Sequence, residues 1–224
     1  MTGSHGRGVG EFLNPQSVCL TSKQVFISDS SNQKVDVFNY NGDFKFSLAS
    51  NIRITNRIIR RPIAIVCTLD GEKIMVSDYE SKCVNIFKAV NGKFLNKICE
   101  NKLLGPKGIC INNKNQIIIA DAKGNSIFIF DSNGKLLKKF GSLGQAQDRF
   151  SGPQYVCCNK CTNEIVISDF YNHSIKVYDE TGNFKFTFGS NGMKEGEFNG
   201  PTGVAVDNFD NIIAVDWGNS RIQV

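Results

Sequence analysis

Five prolines, Pro15, Pro62, Pro106, Pro153 and Pro201, divide this 224-residue chain at steps of 47, 44, 47 and 48 residues. No other prolines occur. An aspartate follows each at a similar distance: Asp29, Asp78, Asp121, Asp169 and Asp216. Self-similarity at a period of 40 to 50 residues is the mark of a repeat architecture, in which each unit buries its apolar faces against its neighbours. A residue present in every repeat is then expected to be scaffold, and one that varies between repeats is a candidate for function.

The last repeat is the easiest to read. Gly203–Asp207 is a short run of small and branched residues, followed by the turn Asn208-Phe209-Asp210-Asn211. Ile212–Asp216 is a second apolar run, and Arg221–Val224 alternates as a third. Such runs, bounded by turn residues, predict strands. Earlier repeats add a hairpin, marked by Asn41-Gly42, Asn91-Gly92, Asn133-Gly134 and Thr181-Gly182. An Asn-Gly pair predicts a tight turn with positive φ. The strand beyond it is lysine-rich, as in Lys135-Leu136-Leu137-Lys138-Lys139-Phe140. Four short antiparallel strands per repeat, apolar first and charged last, predict an all-β propeller blade whose fourth strand is the solvated edge. The blades are expected at about 12–48, 62–98, 106–140, 153–188 and 201–224, in a single domain spanning 1–224.

Charged residues make up 21% of the chain and apolar residues 41%, the balance of a folded globular domain. No apolar run approaches the ~18 residues of a membrane span. The first eight residues lack the apolar core of a signal peptide. Free cysteines and a cytoplasmic location are therefore expected. Cys19, Cys110 and Cys157 each lie four residues after a repeat proline, where the other repeats have Val66 and Ala205. That pattern predicts a small buried strand position. The Cys-x-x-Cys spacing of Cys158 and Cys161 stands alone. With only two histidines, His5 and His173, the chain offers no histidine-based metal centre. No metal, no cofactor and no catalytic site are expected. The repeat aspartates are read as acceptors for the backbone N–H groups of the turns that follow them.

The segments Pro201–Asp207, Ile212–Asp216 and Asn219–Val224 read Pro-x-Gly-Val-x-Val-Asp, Ile-Ile-x-x-Asp and Asn-x-Arg-Ile-Gln-Val. They resemble the NHL repeat, as do the Gly-x-Gly-Glu-Phe connectors at 8–12 and 192–198. Leu104–Gly108, Asp169–Val177 and the closing segment resemble more narrowly the C-terminal propeller of the TRIM-NHL ubiquitin ligases, in their brain-type, filamin-domain-containing branch. The resemblance implies a six-bladed propeller of which about five blades are present, and a chain that is a fragment. It implies that ligase chemistry and zinc belong to RING and B-box regions elsewhere. An unclosed propeller exposes blade flanks, so the isolated chain is expected to be poorly soluble.

The variable positions supply the candidate site. Arg53, Arg57, Arg60 and Arg61 cluster in the connector between the first two blades, where no acid occurs between Asp43 and Asp70. Such a patch suits phosphate or an acidic surface. The turns after the aspartates carry Tyr79, Lys123, Tyr171 and His173 as candidate contacts. Phe170 and Trp217, immediately after an aspartate, are expected to fill the space between blades. Lys107 and Tyr155 begin first strands and are expected at a channel mouth. Exposed aromatics suit a protein hot spot. Beside basic groups they also suit single-stranded RNA. The resemblance implies a protein partner or ubiquitination substrate, with RNA as the alternative and neither membrane nor DNA as partner.

Overall fold

In a computed structural model, residues 3–48 and 58–224 are described. They divide into two compact units, residues 1–103 and 104–224. The first unit opens with a two-stranded parallel pair, β1 (Ser4–His5) and β2 (Glu11–Phe12). Blade one follows, formed by β3 (Pro15–Leu20), β4 (Val25–Asp29), β5 (Lys34–Phe38) and β6 (Phe44–Ser47). Blade two comprises β7 (Pro62–Cys67), β8 (Lys73–Asp78), β9 (Cys83–Lys88) and β10 (Phe94–Ile98). The second unit holds blade three, β11 (Pro106–Ile111), β12 (Ile117–Asp121), β13 (Ser126–Phe130) and β14 (Leu136–Phe140). Blade four is β15 (Pro153–Cys158), β16 (Ile165–Asp169), β17 (Ser174–Tyr178) and β18 (Phe184–Phe188). Blade five has three strands, β19 (Pro201–Val206), β20 (Ile212–Asp216) and β21 (Arg221–Gln223). Every blade is antiparallel and in sequence order, and every first strand begins at a repeat proline.

In blades two, three and four the second and third strands are buried on both faces, which explains their apolar runs. In β16, alternate residues serve opposite neighbours, as the two-residue pleat requires. Ile165 and Ile167 join the cluster of Ile118, Ala120, Ile127 and Val156 from blades three and four. Val166 joins Ile175, Val177, Phe198 and Ala214 on the other side. In the first unit Phe26, Val35 and Val37 of blade one meet Ile65, Ile74, Val76 and Phe87 of blade two. Each such side chain contributes about 1.5–3 kcal/mol on full burial.

The connectors fold alike. Ser4–His5 pairs in parallel with Glu11–Phe12, Leu143 with Phe150, and Asn191 with Phe198. The hairpins differ from the tight Asn-Gly turn expected. Only the glycine takes positive φ, as at Gly42, Gly134 and Gly182. The preceding carboxylate or amide organises the loop: Asp131 Oδ1 accepts from the N–H groups of Asn133 and Lys135, both at 2.9 Å. An Asx turn with one left-handed glycine replaces a turn with two left-handed residues.

First strands of successive blades run close together within each unit. A Cβ on Gly108 would lie 2.6 Å from Tyr155 Cα and 2.7 Å from Val156 N. Those are backbone atoms and cannot yield without moving blade four. Gly108→Ala is therefore expected to destabilise the protein by about 1–3 kcal/mol, read as a lowered denaturation midpoint.

Candidate recognition surface

The site begins at the repeat aspartates, all completely buried. Asp121 accepts from Leu104 N and Gly105 N, each at 2.7 Å, and from Gly124 N at 3.1 Å. Asp78 accepts from Arg60 N, Arg61 N and Ser81 N at 2.7–3.1 Å. Asp29 accepts from Leu13 N, Asn14 N and Asn32 N. Asp169 and Asp216 take Ser151 N and Asn199 N, both at 2.7 Å. The expected bond to the following turn is thus joined by a stronger clamp on the chain entering the blade. Burial pushes the Asp29 and Asp216 carboxyls up, but the hydrogen bonds outweigh it and leave both below the usual carboxylate range. At Asp169 burial dominates and the pKa is raised. These carboxylates are consumed by backbone, and they fix the turns that follow.

A cation performs the complementary task at the connectors. Lys176, 2% exposed, donates from Nζ to the carbonyls of Ala146 and Gln147 at 3.1 Å and to that of Arg149. It also pairs with Asp169 at 3.3 Å and lies 5.5 Å from the Phe150 ring centroid. Arg221 does the same in blade five, donating to Met193 O, Lys194 O, Glu197 O and Asp216. Both were legible only as strand residues of ordinary polarity.

The clamped turns carry the variable side chains. In the second unit Tyr171 is 66% exposed, with its ring over the bare backbone of Gly152, where a Cβ would approach to 2.8 Å. Phe170 rests in the same way on Gly200. Phe170 lies 4.9 Å from Tyr171 and 6.1 Å from Trp217, so the three rings form a row. Trp217 is 66% exposed, on blade five, which has no following blade against it in the structure. Phe170 has the following blade's Gly200 and Trp217 against it, whereas Trp217 lies on blade five with one face open. Tyr171 also borders a polar cleft with Gln145, Gln147, Thr187 and Asn191.

His173 occupies a scaffold position. It is half-buried with φ 51°, and its Nδ1 accepts from Gly200 N at 3.2 Å. Asn125, its counterpart in blade three, has φ 49° and accepts from Gly152 N at 2.8 Å. Lys123 is exposed. Lys107 and Tyr155 are half-buried on adjacent first strands. Lys107 Nζ donates to Gln154 Oε1, and burial raises the Tyr155 phenol.

In the first unit, Arg60 and Arg61 present exposed side chains while their N–H groups are held by Asp78. The Arg61 guanidinium lies 4.8 Å from the centroid of the half-buried Tyr79 ring, a cation–π contact. Arg53 and Arg57 lie outside the described residues. All eight cysteines are free thiols. Cys19, Cys110 and Cys157 are half-buried, not fully buried, because the first strand has a partly open face. Among the described residues no group of three or more His, Cys, Asp or Glu could hold a metal ion.

Comparison with known proteins agrees with this architecture. The NHL repeat model matches residues 103–130 and 198–224. The chain is 30% identical over 140 residues to Protein brain tumor of Drosophila melanogaster, covering 62% of this chain and 13% of that protein. It is 27% identical over 139 residues to the B-box type zinc finger protein ncl-1 of Caenorhabditis elegans, covering 62% of this chain and 16% of that one. Among solved structures, a streptogramin B lyase aligns with a TM-score of 0.72 at 14% identity, over 93% of this chain and 64% of the lyase. Kuenenia stuttgartiensis hydrazine synthase aligns with a TM-score of 0.72 at 17% identity, over 94% and 57%. At such identities the structural likeness concerns the fold alone.

Antiparallel blades with strands paired in sequence order, each clamped by a buried aspartate, make this a β-propeller that carries NHL repeats. Two of its repeats match the NHL repeat model, and it is similar to brain tumor and ncl-1 over 62% of its length. It spans about an eighth to a sixth of the length of those two proteins.

Proposed function

We propose that this propeller is the non-catalytic recognition module of a TRIM-type E3 ubiquitin ligase, acting in the cytoplasm and docking a protein partner through its variable turns. The observation that carries this reading is the exposed ring of Tyr171, set against Phe170 and the bare backbone of Gly152 on the turn after the buried Asp169. Aromatic side chains fixed before binding lose little entropy on docking, and such residues dominate interface energetics. Ubiquitin transfer belongs, on this reading, to a RING region of the whole protein. Quantitative capture of partners from cell extract, with the wild type and a Tyr171→Ala/Trp217→Ala variant compared side by side, tests it. Loss of at least tenfold in a defined partner set is expected, with an unchanged denaturation midpoint. Equal recovery by both proteins overturns the assignment.

The second reading is RNA binding, favoured by the Arg61–Tyr79 stack beside Arg60. A guanidinium on a ring offers a flat cationic platform for a base. Selection from a pool of short single-stranded RNAs at rising salt separates the readings: enrichment that Arg60→Glu/Arg61→Glu abolishes supports RNA, and none supports the protein partner.

A further inference from the structure

Two cysteine pairs occupy the same place in the repeat. Cys110 lies four residues after its proline on β11, and Cys158 five residues after the next proline on β15. Cys19 and Cys67 stand at those same positions on β3 and β7. Both pairs bridge the first strands of adjacent blades within one unit, and both are 48 residues apart in sequence. The Cys110 and Cys158 sulfurs are 3.2 Å apart. Cys19 and Cys67 converge on one carbonyl, that of Leu20, at 3.8 and 3.4 Å. All four are half-buried residues. Cys157, by contrast, packs with Val204, Val206 and Ile212 and has no thiol opposite.

We propose that Cys19–Cys67 and Cys110–Cys158 are thiol–disulfide switches that staple neighbouring blades through their first strands when the surroundings become oxidising. Glutathione disulfide is a sufficient oxidant. The Cys67 thiolate attacks one sulfur of glutathione disulfide, breaking its S–S bond and expelling glutathione thiolate. The Cys19 thiol then gives its proton to solvent and attacks Cys67 Sγ, expelling the second glutathione. Two protein thiols and one glutathione disulfide thus become one protein disulfide and two glutathione thiols. The Cys110–Cys158 pair follows the same course. The two pairs differ in readiness. A hydrogen bond from the Cys19 thiol pulls Cys67 down to about 7, which favours its attack, and burial pushes Cys110 up. Closing a loop of this length restricts the unfolded chain and raises the melting temperature, by about 5–10 °C per bridge.

The test equilibrates the intact protein in buffers of defined glutathione to glutathione disulfide ratio, alkylates free thiols and maps linked peptides by mass spectrometry. Linked Cys19–Cys67 and Cys110–Cys158 peptides are expected, with the former appearing first and both reversed by dithiothreitol. Cys67→Ser should abolish the first link and leave the second; Cys158→Ser should do the converse. Circular dichroism of each serine variant supplies the folded control. Alkylation of all eight cysteines across the series, or linkage of Cys158 to Cys161 in place of Cys110, overturns the proposal. The result does not depend on which partner the propeller recognises.

Discussion

Replacing Asp121 by alanine is expected to destabilise the protein by about 3–5 kcal/mol, the range for removing one partner from a buried charged network. The carboxylate is fully buried and receives three backbone N–H groups, from Leu104, Gly105 and Gly124. Alanine leaves all three without that acceptor. Hydrogen bonds to a charged acceptor each contribute about 1.5–3 kcal/mol, and orphaned donors carry their own desolvation cost. Asp121→Asn keeps one acceptor oxygen and is expected to lose less. Denaturant unfolding monitored by far-ultraviolet dichroism checks both, and the order alanine worse than asparagine distinguishes lost acceptors from lost charge. A change below 1 kcal/mol for alanine would mean the clamp is dispensable.

Lys176→Met is expected to cost a similar ~3–5 kcal/mol. Its ammonium satisfies the carbonyls of Ala146, Gln147 and Arg149 and neutralises Asp169. Methionine fills the volume but strands those acceptors and leaves Asp169 buried without its cation. The loss should be partly recovered by adding Asp169→Asn, because the second change removes the uncompensated charge. A double-mutant cycle on these two positions measures that coupling. Strictly additive effects would show that Lys176 does not act through the Asp169 charge.

Much of the blade plan was visible in the chain. The proline spacing located every first strand, the apolar runs located the doubly buried second and third strands, and the lysines of Leu136–Phe140 marked an edge. Partners from outside the local segment were not visible. Asp121 takes its strongest bonds from residues 16 and 17 positions earlier, which sequence adjacency cannot suggest. Lys176 sits between Ile175 and Val177 with nothing to mark it as buried, because its partners come from a connector 27 to 30 residues away. His173 was legible as a variable aromatic, yet its left-handed backbone and its bond to Gly200 make it framework. Phe170 fits between blades as its place after the aspartate suggests, with Gly200 of the next blade beneath it. The cysteine pairs join position four of one repeat to position five of the next, 48 residues on, a neighbourhood that only the packing of adjacent first strands creates.

The account separates recurring residues, which hold the blades, from the turns they display, which recognise a partner. Its most direct test measures stability and partner binding together in the full chain for Asp121→Ala and for Tyr171→Ala/Trp217→Ala. The account predicts that the aspartate variant unfolds at markedly lower denaturant, while the aromatic variant melts as the wild type does and binds at least tenfold more weakly. An aromatic variant that binds like the wild type, or that loses binding only in step with lost stability, would contradict it.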